Sequence, residues 1–242
     1  REYYDLCRGG SALEMTKWFN TNYHYLVPTF EEFAPEDMDL NLNLAAKAHD
    51  QYDGTPWLIG PYTFLRLSKG IAPEMFREYL AAAADVYRRA LEEVPACHIH
   101  EPAFVLDVSP EDIAMIRMAY TVMARADARI SLFTYYDAVD FLDELMALPV
   151  AAIGLDFVHG PANLDTISRI GFPKGKELIA GLVDGRNVWR TEIDQAVLQL
   201  AGFPCGARNL HRIGAGGPAG LRGFGPAAVL GATCALGSFG CG

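Results

Sequence analysis

Within twelve residues, Glu14-Met15-Thr16-Lys17-Trp18-Phe19-Asn20-Thr21-Asn22-Tyr23-His24-Tyr25 brings together one ammonium group, two amides, an imidazole and four aromatic rings. That mixture suits an anionic ligand with a flat ring: Lys17 supplies a point charge and the amides supply hydrogen bonds. The same residues would also serve a half-buried strand with its tyrosines turned to the core. A second group is His98-Ile99-His100-Glu101. Histidines at i and i+2 on a strand share a face, which is how the first metal pair of an amidohydrolase-type hydrolase is built. Such a site needs further ligands, and Asp156 and His159 are available. The alternative is a structural role, with a helix N-terminus or a tyrosine satisfying Glu101. Asp184-Gly185-Arg186-Asn187 is either a tight turn, with Arg186 paired to Asp184, or a loop facing a ligand. Asp156 and His159 face the same choice.

Elements must hold these residues at strand ends. Short apolar runs occur at Trp57–Gly60, Cys97–His100, Arg129–Phe133, Val150–Asp156 and Leu178–Leu182. Helical patterns separate them. Glu74–Glu93 places Met75, Phe76, Tyr79, Leu80, Ala83, Val86, Tyr87, Ala90 and Leu91 on one stripe. Ser109-Pro110-Glu111-Asp112 is a helix start, with Ser109 as the cap. Asp137–Leu148, Ala162–Ile170 and Thr191–Leu200 add further helices. Strands alternating with helices predict right-handed crossovers and a parallel sheet. Polar strand ends sharing one face suit a (βα) barrel. A doubly wound sheet would usually carry a Gly-rich phosphate loop, and no G-x-G-x-x-G follows a strand here. The expected class is therefore α/β, a TIM-type (βα)-barrel sheet with about five strand–helix units visible, so incomplete in this chain.

The 242 residues suffice for one large domain or two small ones. A net charge of −10 argues against nucleic acid as a partner, since phosphate binding needs a basic stripe. Five widely spaced cysteines with no Cys-x-x-Cys suit a reducing compartment and give neither a disulfide framework nor a structural zinc site. There is no apolar stretch of membrane-spanning length and no signal-peptide pattern after Arg1, so a cytoplasmic location is expected. The first residue is not Met, which predicts a start within a longer reading frame. Residues 201–242 hold more than half of the 23 glycines and no Asp, Glu or Lys. They show neither helical nor strand period, so residues 1–200 are read as the barrel-type domain. The remainder is read as a disordered tail or a damaged frame.

Six motifs in order carry a family resemblance. They are EMTKWFNTNYHYLVP (Glu14–Pro28), LIGPYTFLRLSK (Leu58–Lys69), HEPAFVLD (His100–Asp107), FTYYD (Phe133–Asp137), LDFVHG (Leu155–Gly160) and GLVDGRNVWRT (Gly181–Thr191). Over roughly residues 10–195 the chain resembles the N-terminal domain of cobalamin-independent methionine synthases. The resemblance implies two face-to-face (βα)8 barrels. The intact enzyme would move a methyl group from 5-methyltetrahydropteroyltri-L-glutamate to L-homocysteine, making L-methionine. It implies that Lys17 and Asn22 hold the folate's polyglutamate tail. It further implies that zinc and homocysteine belong to a C-terminal barrel outside this chain, its partner, so that no metal ligand or catalytic residue is expected here and the segment alone is expected to be inactive. His100, Glu101, Asp156, His159, Asp184, Arg186 and Asn187 are left as a strand-end polar cluster. His100 departs from the family pattern, which has Asp in an Asp-Glu-Pro motif. Two other readings stand beside this one: a metal-dependent hydrolase using His98 and His100, and a non-catalytic remnant that binds a folate or a partner barrel.

Overall fold

The computed structural model describes residues 14–30, 33–38 and 55–184. An antiparallel hairpin comes first, β1 (Met15–Lys17) paired with β2 (His24–Leu26). A five-stranded parallel sheet follows: β3 (Trp57–Ile59), β4 (Ala96–His100), β5 (Arg129–Phe133), β6 (Ala152–Asp156) and β7 (Glu177–Gly181). Between these strands run α1 (Pro61–Arg66), α2 (Phe76–Leu91), α3 (Pro110–Met123), α4 (Leu142–Ala147) and α5 (Ala162–Ile170). The strands lie side by side in chain order, β3-β4-β5-β6-β7. A doubly wound sheet reverses direction at a switch point; this one does not, so it is a barrel-type sheet, incomplete among the described residues.

Alternation along the strands divides the sheet into two faces. Cys97, Ile99, Ile130, Leu132, Ile153, Leu155, Leu178 and Ala180 join the core with the inner stripes of the helices. On α2 that stripe is Tyr79, Leu80, Ala83, Ala84, Val86, Tyr87, Ala90 and Leu91, all buried. The helix packs on α3. α3 begins as its sequence requires: Ser109 Oγ accepts from Asp112 N at 3.1 Å, and the Asp112 carboxylate accepts from Ser109 N at 3.1 Å. This reciprocal cap satisfies two donors that helix geometry leaves open.

The opposite face carries the other parity. His98 lies beside Ser131 and His100 beside Phe133; Phe133 in turn lies beside Gly154. A Cβ at Gly154 would come within 2.3 Å of the Phe133 ring, so glycine is what lets that ring lean across β6. At the lower end of the same face Arg129 of β5 bridges to Glu177 of β7 at 2.7 Å.

Several expected spans differ. The helix expected over Asp137–Leu148 starts only at Leu142. Residues 137–141 form a loop instead, in which Ala138 N donates to Asp137 Oδ1 at 2.7 Å and Val139 N to Asn163 Oδ1 at 3.0 Å. The stripe expected over Glu74–Glu93 begins with a tight turn at Pro73–Met75 before α2 proper. The Glu14–Tyr25 stretch is a hairpin rather than one strand. The helix expected at Thr191–Leu200 and the tail at 201–242 lie outside the described residues. Among the described residues no helix is long and apolar enough to cross a membrane.

Candidate functional site

The strand-end residues separate into three groups. Glu101, directly after β4, is fully buried. Its carboxylate accepts from Tyr62 N at 3.2 Å, Thr63 N at 2.7 Å and Tyr120 Oη at 3.2 Å. It therefore caps α1, whose Gly60-Pro61 start offers no side-chain cap of its own. A Cβ at Gly60 would stand 2.0 Å from the Glu101 carboxyl carbon, so only glycine admits this approach. Thr63 Oγ1 closes the arrangement by accepting from Ala103 N at 3.1 Å. Burial pushes the Glu101 carboxyl up to about 7, against the opposing pull of its donors on Thr63, Tyr62 and Tyr120. Of the two roles the sequence left open for Glu101, the helix N-terminus and the tyrosine both satisfy it.

His98 and His100 form the second group, on the open face of the sheet. Their rings flank Phe133: His98 edge-on at 5.0 Å, His100 stacked at 5.0 Å with 23° between planes. Trp57 and Tyr135 lie against His100 at 5.6 and 5.7 Å. Burial lowers both imidazoles, His100 to about 4 with His98 adding to the effect, so they are neutral near pH 7. Their neighbours are aromatic. Among the described residues no three His, Cys, Asp or Glu side chains form a group that could hold a metal. The ring contacts of His100 are with Trp57, Phe133 and Tyr135.

The third group is a true cluster. Asp156 ends β6, and its Oδ1 accepts from Val158 N and His159 N, both at 2.9 Å. Its Oδ2 accepts from Tyr136 N at 3.1 Å and meets His159 Nδ1 at 2.9 Å. His159 Nε2 lies 3.6 Å from Asp184 Oδ1. Asn163 completes the knot: its Nδ2 donates to the Asp156 carbonyl at 3.0 Å while its Oδ1 serves Val139. Arg186 and Asn187 lie outside the described residues. Tyr136, Asn163, Thr63 and Tyr120 were missed as positioning residues. Only Tyr120, an apolar-stripe tyrosine able to reach a strand-end carboxylate, had a readable signal.

Lys17 and Asn22 stand on the hairpin. Its turn is closed by Trp18 N donating to Tyr23 O at 2.8 Å and by Thr21 Oγ1 donating to Trp18 O at 2.5 Å. Trp18 packs edge-on against Phe19 and Tyr25. Trp18, Phe19 and Tyr25 thus fold on one another, and Phe19 also packs on Tyr136, while Tyr23 is exposed. Lys17 and Asn22 are left exposed. Lys17 has no carboxylate within ion-pair distance among the described residues.

Comparison with known proteins gives a consistent outcome. The family described as cobalamin-independent synthase, N-terminal domain, matches residues 1–203. A 5-methyltetrahydropteroyltriglutamate–homocysteine methyltransferase of Halalkalibacterium halodurans is 40% identical over 201 residues, covering 77% of this chain and 27% of that protein. A protein of the same name from Bacillus cereus is 39% identical over 214 residues, 82% of this chain and 28% of its own length. The chain thus spans just over a quarter of the curated relatives it matches. Among solved structures, a B12-independent methionine synthase from Shewanella in complex with selenomethionine aligns with TM-score 0.55. That alignment covers 80% of this chain and 64% of the other at 15% identity, which speaks for the fold.

Proposed function

The chain belongs to the cobalamin-independent synthase N-terminal domain family, and from that premise we propose that it is the tail-binding segment of a homocysteine methyltransferase. The whole protein would move a methyl group from 5-methyltetrahydropteroyltri-L-glutamate to L-homocysteine, giving L-methionine. This segment would hold the polyglutamate tail through Lys17 and Asn22, and would pack against the second, catalytic barrel. The names of the relatives support the reaction. The observation that carries the role of this segment is the hairpin, where Lys17 is exposed with no carboxylate partner among the described residues. An exposed ammonium can meet a chain of carboxylates as a point charge.

Asp156, His159 and Asp184 are proposed to shape the strand-end surface near that hairpin, and Arg186 and Asn187 are kept as candidates by sequence alone. Zinc, which in such an enzyme would keep the homocysteine thiol deprotonated, finds no fit among the described residues. By the family resemblance it is proposed to belong to the C-terminal barrel. A cytoplasmic location accords with a biosynthetic role.

The test compares binding of 5-methyltetrahydrofolate mono- and triglutamate to the wild-type chain and to Lys17→Ala. The expected result is a preference for the triglutamate that the substitution largely removes. Equal weakening of both ligands would make Lys17 a support of the fold and overturn the reading.

A further inference from the structure

The hairpin is tied down at two places of different character. Its root is held by polar contacts to the end of α1. Tyr25 Oη donates to the Leu67 carbonyl at 3.3 Å. Lys69 N donates to Pro28 O and Phe30 N to Lys69 O, both at 2.9 Å, and Lys69 pairs with Glu14. The tip is held by a ring contact. Phe19, two residues beyond Lys17, packs on Tyr136 with centroids 5.4 Å apart. Both residues of this pair have left-handed backbones, φ 51° at Phe19 and 90° at Tyr136. A bulky side chain takes such a φ only where its surroundings impose it. At Tyr136 the imposing group is Asp156, whose Oδ2 accepts from Tyr136 N at 3.1 Å and is itself braced by His159 Nδ1 at 2.9 Å. Tyr135 adds an edge-on ring contact at 4.6 Å.

We propose that Tyr136, set by Asp156, is a positioning residue for the tail-binding hairpin: its ring holds Phe19, and through Phe19 the place of Lys17. The inference rests on the reading of Lys17 as a contact of the polyglutamate tail. It gives the Asp156–His159 cluster a task at a distance. In that role the cluster acts through the backbone that presents the ring. With the root attached and the tip released, the hairpin would still form, but Lys17 would sample a wider volume. The lost order then has to be supplied on binding, and the cost falls on the tail and not on the rest of the folate.

The decisive variant is Tyr136→Gly, because glycine accepts a φ of 90° without strain while the ring is removed. Tyr136→Phe keeps the ring and serves as the conservative control. In the 242-residue chain, Tyr136→Gly is expected to speed amide exchange at Trp18, Thr21 and Tyr23 and to leave β4, β5 and β6 unchanged. Triglutamate affinity should fall by about 2- to 10-fold, the range expected of one aromatic pair, with monoglutamate affinity unaltered. Tyr136→Phe should match the wild type in both measurements. Unchanged hairpin exchange in Tyr136→Gly, or equal damage from Tyr136→Phe, overturns the proposal. Lys17→Ala is run alongside: if it leaves triglutamate binding intact, the tail reading has failed, and the mooring is then decided by exchange alone.

Discussion

Glu101 follows β4 and Asp156 ends β6, two strands away at the same edge of the sheet, and the two carboxylates live in opposite surroundings. Glu101 has no exposed surface, and its donors come from α1 and α3. It joins elements that are far apart in sequence and acts as a strut. Asp156 takes its donors from its own loop and from the backbone after β5. Its neighbours His159 and Asp184 keep 24% and 28% of their side-chain surface in solvent. A carboxylate enclosed by fixed donors has little capacity left for a ligand. One that organises a half-wet cluster and a strained backbone can steer what lies above it. Position at a strand end is therefore a weak guide to role, and the origin of the donors is a stronger one.

The contrast is tested most severely by truncation. Glu101→Ala leaves two helix N–H groups and the Tyr120 hydroxyl without their acceptor, and should destabilise the chain by about 3–5 kcal/mol in urea unfolding. Gly60→Ala drives a methyl into that carboxylate and should cost about 1–3 kcal/mol without removing any polar group. The two variants should be non-additive, since they act on one contact. If Asp156→Ala destabilised as much as Glu101→Ala, the distinction between strut and cluster would collapse.

Protonation offers a finer version of the same test. The Glu101 carboxyl is raised from its ordinary 4.5 to about 7 by burial. A carboxyl with a folded pKa above its unfolded one binds more protons folded than unfolded across that interval. Stability from this group is thus fully present below about pH 4.5, is lost as pH rises to about 7, and is level above. The difference is on the order of 3 kcal/mol. Glu101→Gln should flatten that part of the stability–pH profile. The Asp156→Asn profile should keep the slope. A wild-type profile that parallels Glu101→Gln between pH 4.5 and 7 would show that the carboxylate stays ionised in its cage of donors.

Much of the sheet was legible because its strands are apolar runs of the right length that stop at turn residues; β4, β5 and β6 fall within two residues of their expected bounds. The cap at Ser109 was legible for the same reason: the signal is local. What was not legible is set by contacts distant in sequence. The 137–141 segment looks helical in sequence, and the Asn163 contact that anchors it as a loop at Val139 comes from α5. Tyr136 carries no mark of its left-handed backbone, since glycine or asparagine would announce that conformation and tyrosine does not. His100 and Asp156 share a strand-end location, but His100 belongs to the stack on Phe133, which exists because Gly154 makes room. In the hairpin, Lys17 and Asn22 could be singled out by type, yet the turn that sets them apart from the packed aromatics could not.

Asp156→Ala should cost an intermediate amount, about 1–3 kcal/mol, because its loop donors can turn partly to water. Its distinguishing mark is location: exchange should rise in the 136–139 and 157–163 loops and in the hairpin tip, with the α1 N-terminus unaffected. Glu101→Ala should show the reverse distribution, with the largest rise at Tyr62 and Thr63. Matching exchange maps for the two variants would mean that the strand ends respond as one unit.

The smallest effects are expected at the hairpin surface, where they are also the most specific. Lys17 and Asn22 are exposed, so neither alanine variant should shift stability by more than about 0.5 kcal/mol. Their ligand effects should differ in kind. An exposed ionic contact is worth about 0.2–1 kcal/mol, and it weakens as the Debye length contracts from about 10 Å at 0.1 M salt to about 3 Å at 1 M. Triglutamate binding by the wild type should therefore fall with salt, and Lys17→Ala should be weaker at low salt and nearly salt-independent. Asn22 contributes a neutral hydrogen bond that competes with water, so Asn22→Ala should cost no more than about 0.5 kcal/mol and keep the wild-type salt slope. The measurement is affinity for mono- and triglutamate across that salt range for the three proteins. A salt slope that survives Lys17→Ala would assign the tail's charge to another cation, and the hairpin would then be a scaffold for that cation instead of the contact itself.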